Sequence, residues 1–132
     1  MSKIEKFEDI QAWQRARELT KQIYEITKGT LFFKDFELKA QIRRSGVSIM
    51  ANIAEGFARR THKEFVNFLG MAHASVAEVQ SHLYIALDQN YISEKKFTEL
   101  YYSADEVSRM IQGLVKYLRN PKTPKLYNSI TL

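Results

Sequence analysis

Between residues 97 and 118 the apolar side chains recur at intervals that alternate between three and four: Phe97, Leu100, Ala104, Val107, Ile111, Leu114 and Leu118. Only a chain turning about once every 3.6 residues gathers all of these on one face, so the segment is constrained to an amphipathic α-helix. The same period runs through Ile10, Trp13, Ala16, Ile23 and Ile26, through Leu38, Ile42, Ile49 and Ile53, and through Phe65, Leu69, Ala72, Val76, Val79, Leu83 and Leu87. With five glycines and two prolines in 132 residues, there is little turn material for a many-stranded sheet protein. The spacing predicts one all-α domain over residues 1–132, with helices over about 8–28, 36–58, 62–90 and 94–119 and a tail over 120–132. Four long helices joined by short loops fold most simply as an antiparallel up-down bundle.

Punctuation supports these limits. Asp9, Asp35, Thr61 and Ser93 are candidate N-caps, Thr61 with Glu64 three residues on has the form of a capping box, Gly29 closes the first helix, and Asn120-Pro121 stops the last. Residues 30–34 read as a short loop. The chain has no cysteine, which removes disulfides, thiolate nucleophiles and zinc–thiolate sites and suits a reducing, cytoplasmic setting. No apolar run approaches the ~18–20 residues of a membrane span, and Met1 to Lys6 lead into no signal-like apolar region, so no membrane partner is expected.

The net charge of +5 is unevenly spread. Residues 36–63 carry six basic and two acidic side chains, whereas residues 64–92 contain no Lys or Arg at all. Projected at about 100° per residue, the second helix shows a second stripe of Ala40, Val47, Ala51, Ala54 and Ala58 roughly opposite its core stripe. The third helix carries Gly70, Ala74, Ala77 and Ser81 in the same way. Rows of small, uncharged residues permit close helix approach, and the missing charge argues for burial against other copies of the chain. Self-association through these backs is the expectation.

The stretch Gln41-Ile42-Arg43-Arg44-Ser45-Gly46-Val47-Ser48-Ile49-Met50-Ala51-Asn52-Ile53-Ala54-Glu55-Gly56 resembles the signature of the 23S rRNA-intervening sequence protein family, four-helix-bundle proteins encoded within bacterial large-subunit ribosomal RNA genes. Phe7-Glu8-Asp9-Ile10 followed by Trp13 is similar to that family's opening, and Lys63-Glu64-Phe65 through Ala72, Ser75 and Glu78 to its third helix. Gly46 and Met50 depart from the commonest pattern, which has Ala near the first position and often Pro at the second. The resemblance implies a four-helix bundle that assembles as a ring-shaped homopentamer, with an unsettled biochemical role. A more distant likeness, to the accessory proteins of diversity-generating retroelements, implies a basic pentamer that binds nucleic acid and a reverse transcriptase.

Catalytic chemistry has no visible constellation. A di-iron bundle needs Glu-x-x-His, yet position 67 is Asn and position 81 is Ser; the three glycines at 46, 56 and 70 form no phosphate loop; and no serine sits in a nucleophile elbow. The expectation is a protein that is not an enzyme and has no cofactor and no metal, His73 and His82 serving as ordinary hydrogen-bonding residues. Two polar groupings remain. One is a strip on the second helix formed by Asn52 and Glu55 with nearby Arg43 and Arg44, Glu55 and Arg59 lying one turn apart; it reads as intramolecular bonding or a subunit contact. The other follows from up-down topology, which gathers Arg59, Arg60, Lys63, Lys116, Arg119, Lys122 and Lys125 at one pole, together with Lys3, Lys6 and His62, against Glu5, Glu8, Asp9, Glu55 and Glu64, a modest excess in one copy, with Tyr117 and Tyr127 nearby. Such a pole is suited to RNA or DNA backbones rather than to base reading. The alternative is a scaffold whose partner is another protein and which binds no nucleic acid.

Overall fold

The computed structural model describes residues 4–124 and is helical throughout its regular structure. Helix α1 spans Gln11–Ile26, a one-turn helix α2 spans Thr30–Lys34, and three long helices follow: α3 over Phe36–Ala58, α4 over His62–Asp88 and α5 over Glu94–Arg119. Helix α1 packs on α3 and α5, and α4 packs on the same two, so the four long helices close a bundle around one core. Among the described residues there is no strand, and no helix is long and apolar enough to cross a membrane.

The caps show why the elements begin where they do. The Asp35 carboxylate accepts the Leu38 N–H at 3.1 Å, the Thr61 hydroxyl accepts that of Glu64 at 3.2 Å, and the Ser93 hydroxyl accepts that of Lys96 at 3.1 Å. Asp9 behaves differently. Its carboxylate accepts the N–H groups of Glu5 and Lys6 at 3.0 and 3.2 Å, which holds its pKa below the ordinary carboxylate value and spends the cap on a 3-10 turn over Phe7–Asp9. Ile10 is then extended, so the first helix starts at Gln11 rather than at residue 8. It stops at Ile26, where the i−4 ladder gives way to i−3 bonds from the Lys28 and Gly29 N–H groups to the Glu25 and Ile26 carbonyls at 3.2 and 3.3 Å, while the Thr27 hydroxyl donates to the Ile23 and Tyr24 carbonyls at 2.9 and 3.0 Å. Helix α4 ends at Asp88 rather than at 90: Asn90 adopts a left-handed φ of 60°, and the Tyr91 N–H returns to the Ala86 carbonyl at 2.9 Å, a Schellman-type close.

The core follows the apolar period. Ile42, Ile49, Ile53, Leu69, Leu83 and Leu100 are among its fully enclosed side chains, each stabilising the fold by about 1.5–3 kcal/mol through burial. Two glycines bring backbones together. At Gly46 the α3 carbonyl accepts the Thr20 hydroxyl of α1 at 3.1 Å, and at Gly56 the Phe65 ring and the Phe68 Cβ lie against bare backbone. Residues 30–34 form a helical turn whose Phe32 is completely buried and stacks on Tyr91 at 5.0 Å between centroids.

Candidate nucleic-acid interface

Helix α3 ends and α4 begins around Arg59, Arg60 and Thr61, at the same end of the bundle as the C-terminus of α5. A reversal this tight needs one residue in the left-handed region. Arg60 takes that position with φ 66°, where the equivalent turn before α5 uses Asn90. A non-glycine residue held there costs about 1–2 kcal/mol, which the surrounding turn offsets. The turn projects Arg59, Arg60 and Lys63 outward, all exposed, while Lys116 and Arg119 in the last turns of α5 are exposed beside the first turns of α4. Lys122 lies just beyond, its N–H donated to the Asn120 side chain at 3.0 Å. Lys125, like Lys3 and Tyr127, lies outside the described residues.

Acidic side chains partly balance this end. Glu55 pairs with Arg59 at 3.3 Å, and the Arg59 guanidinium also stands 4.9 Å from the Phe68 ring centroid, so Arg59 is fixed over the α3–α4 seam. Both partners are about half exposed, which limits the pair to a small stabilising effect. Tyr117 is half-buried and packed against the core.

The polar strip resolves into two sides of α3. Asn52 donates to the Ser48 carbonyl at 2.9 Å and to its hydroxyl at 3.0 Å, and the Ser48 and Ser75 hydroxyls meet at 2.9 Å, so this row stitches α3 to α4. Arg44 joins it further along, lining a cleft of about 250 Å³ with Gln41, Ser45, Ser48, Glu78 and His82. Arg43 does not belong to it. Its Nε donates to the Thr27 hydroxyl at 2.8 Å and its guanidinium lies 4.5 Å from the Tyr24 ring centroid, on the α1 side of the helix. Adjacent residues on a helix diverge by about 100°, and the short α1 end offers Arg43 a hydroxyl and an aromatic face.

The His82 Nδ1 is buried with no hydrogen-bond partner, and burial pushes this imidazole below its ordinary pKa, against an opposing pull from Glu78. His73 instead meets the Gln112 amide at 3.3 Å, a contact across 39 residues of sequence that single-helix periodicity does not reveal. Among the described residues no three His, Asp or Glu side chains gather closely enough to hold a metal ion.

On either side of the Ser48–Ser75 seam, the small-residue backs of α3 and α4 face outward. Ala40, Ala51, Ala58, Gly70, Ala74, Ala77 and Ser81 are exposed, with Val47 46% and Met71 50% exposed among them. Fold and surface together define a small four-helix-bundle protein, cationic at one pole, with rows of small uncharged residues on α3 and α4 flanking a polar seam that carries Arg44, Glu55 and Glu78. The chain belongs to the 23S rRNA-intervening sequence protein family, whose model matches residues 8–113. It is similar to a solved protein of unknown function from the S23 ribosomal protein family of Bacteroides thetaiotaomicron VPI-5482, at 24% identity and a TM-score of 0.74 over 80% of this chain and 98% of that one. That likeness concerns the fold. No curated protein matches the chain significantly. Neither the family nor the solved relative indicates an enzymatic activity.

Proposed function

We propose that this protein is a non-enzymatic, cytoplasmic scaffold that self-associates through the backs of α3 and α4 and binds RNA or DNA backbones, without sequence preference, through its basic pole. The observation that carries the reading is the set of exposed cations, Arg59, Arg60 and Lys63 at the α3–α4 turn and Lys116, Arg119 and Lys122 at the end of α5, brought to one end of the bundle. Each phosphate neutralised by such a side chain releases a condensed counterion, so affinity is driven electrostatically and falls with salt. Assembly multiplies the effect. In a closed ring, the homopentamer that the resemblance implies, the poles of successive subunits join into a continuous positive rim, and a modest excess in one copy becomes a high local field.

The test is the anisotropy of a labelled oligonucleotide titrated with protein between about 50 and 200 mM salt. Affinity is expected to fall steeply across the series, and Arg59→Glu, Arg60→Glu and Lys63→Glu together to weaken it by more than about tenfold at low salt. Absence of binding by the wild type at the lowest salt rejects the reading.

One observation favours a second reading, a protein-interaction scaffold with no nucleic-acid role. At the opposite end Leu31, Phe33 and Phe36 are 60%, 47% and 69% exposed, with the Lys39 ammonium 3.6 and 4.9 Å from the two ring centroids. An apolar, cation-capped tip of this kind suits a protein partner. Salt-sensitive oligonucleotide binding that the charge reversals abolish counts against this alternative.

A further inference from the structure

We infer that the groove between the start of α4 and the end of α5 is a seat for an unpaired nucleotide, so that the protein binds single strands in preference to duplexes. This deepens the proposed function and rests on it. The groove encloses about 720 Å³, within the roughly 300–1,000 Å³ usual for small-ligand sites. Its floor is aliphatic, formed by Val66, Leu69, Ile111 and Val115. Gly70 leaves the floor open, since a Cβ built there meets nothing within 4 Å.

The walls supply the complementary chemistry. His73 and Gln112, 3.3 Å apart, present an imidazole and a carboxamide, which between them offer donors and acceptors to the edge of a base. Lys116 and Arg119 border the same groove, and no Asp or Glu lines it. The ligand these features describe has a flat apolar body, hydrogen-bonding edges and an attached anion, which is a nucleotide unit. Within a duplex a base is covered on both faces by its neighbours and its pairing edge is occupied; only in a single strand can it turn out onto such a floor. The basic turn around Arg59 to Lys63 then meets the flanking phosphates.

Gln112→Leu gives a clean test, because Gln112 is an exposed groove residue on α5, away from the backs of α3 and α4, and leucine removes its amide while remaining a good helix former, so the variant should melt no lower than the wild type. The wild type and this variant are titrated against a labelled single-stranded oligonucleotide and a duplex with the same number of phosphates, with the Arg59, Arg60 and Lys63 charge reversals alongside. The expected result is a single-strand preference of about tenfold in the wild type, the worth of one or two hydrogen bonds to the base edge. Gln112→Leu should remove most of that preference and leave duplex binding unchanged, while the charge reversals weaken both. Equal wild-type affinity for the two nucleic acids, or an undiminished preference in Gln112→Leu, overturns the groove assignment and leaves the proposed function standing. Failure of the wild type to bind either one overturns both.

Discussion

At the residue scale, the two buried glycines of α3 are points where helices touch, and they differ in tolerance. A Cβ on Gly56 would stand 2.6 Å from the Phe68 Cβ and 3.0 Å from Phe65 Cδ1, whereas one on Gly46 would stand 3.1 Å from the far end of Ile23 and 3.2 Å from the Thr20 hydroxyl. The first contact sits at the root of a side chain and cannot yield without moving backbone. Gly56→Ala should therefore destabilise the protein by about 1–3 kcal/mol despite alanine's better helix propensity, while exposed Gly70→Ala should stabilise it by about 0.5–1 kcal/mol. Urea midpoints of the two variants check the difference in sign. The sequence sets Gly70 in the small-residue row of α4 with Ala74, Ala77 and Ser81, but how close a neighbour comes to Gly46 or Gly56 depends on which helix faces them. Arg43 illustrates the same limit. It neighbours Arg44 in sequence, yet the bundle turns one toward α1 and the other toward α4.

At the element scale, the three-and-four alternation was sufficient to specify α5, for Leu100, Ala104, Val107, Ile111, Leu114 and Leu118 are all buried. The period is less telling on α3 and α4, where apolar or small residues cover more than one side, and it says nothing about α2, too short to complete two turns. The seam between α3 and α4 carries its own pH response. Burial lowers the His82 pKa; Glu78 opposes this, and Arg44 lines the same cleft. The native state thus disfavours the protonated ring relative to the unfolded chain. Below about pH 6.5 the unfolded state binds more protons, so the stability contributed by neutral His82 is complete above that pH and lost as the pH falls through the depressed native value. Thermal melts of the wild type should drop more between pH 7.5 and 5 than those of His82→Gln; equal drops would show that the imidazole is not responsible.

At the scale of the whole molecule, the broad outer face is the feature most in need of a partner. Val47 and Met71 are half exposed amid alanines and glycine, residues 64–92 hold no Lys or Arg, and the charge on this side is confined to the seam that carries Arg44, Glu55 and Glu78. In self-association this face is covered, and lysines introduced there oppose one another across the contact. Light scattering of the wild type should report a multiple of the 15.4 kDa chain, and Val47→Lys with Ala77→Lys should reduce it to a single subunit that retains its helical circular dichroism. A wild type of single-subunit mass at micromolar concentration would remove the assembly and the joined rim with it. By contrast, Glu55→Ala should leave melting nearly unchanged, given the exposure of its ion pair. The charge at the pole was readable from topology, but the groove beside it was not, since it needs α4 and α5 set against each other.

The two ends of the bundle are also built differently. At the end remote from Arg59 and Arg60, the single carboxylate of Asp35 holds the first turn of α3 through Leu38 and receives the Tyr91 hydroxyl at 2.9 Å, raising that phenol's pKa, while Tyr91 stacks on Phe32. Two chain reversals thus share one acceptor, and removing that carboxylate would release the helix cap and the phenol together.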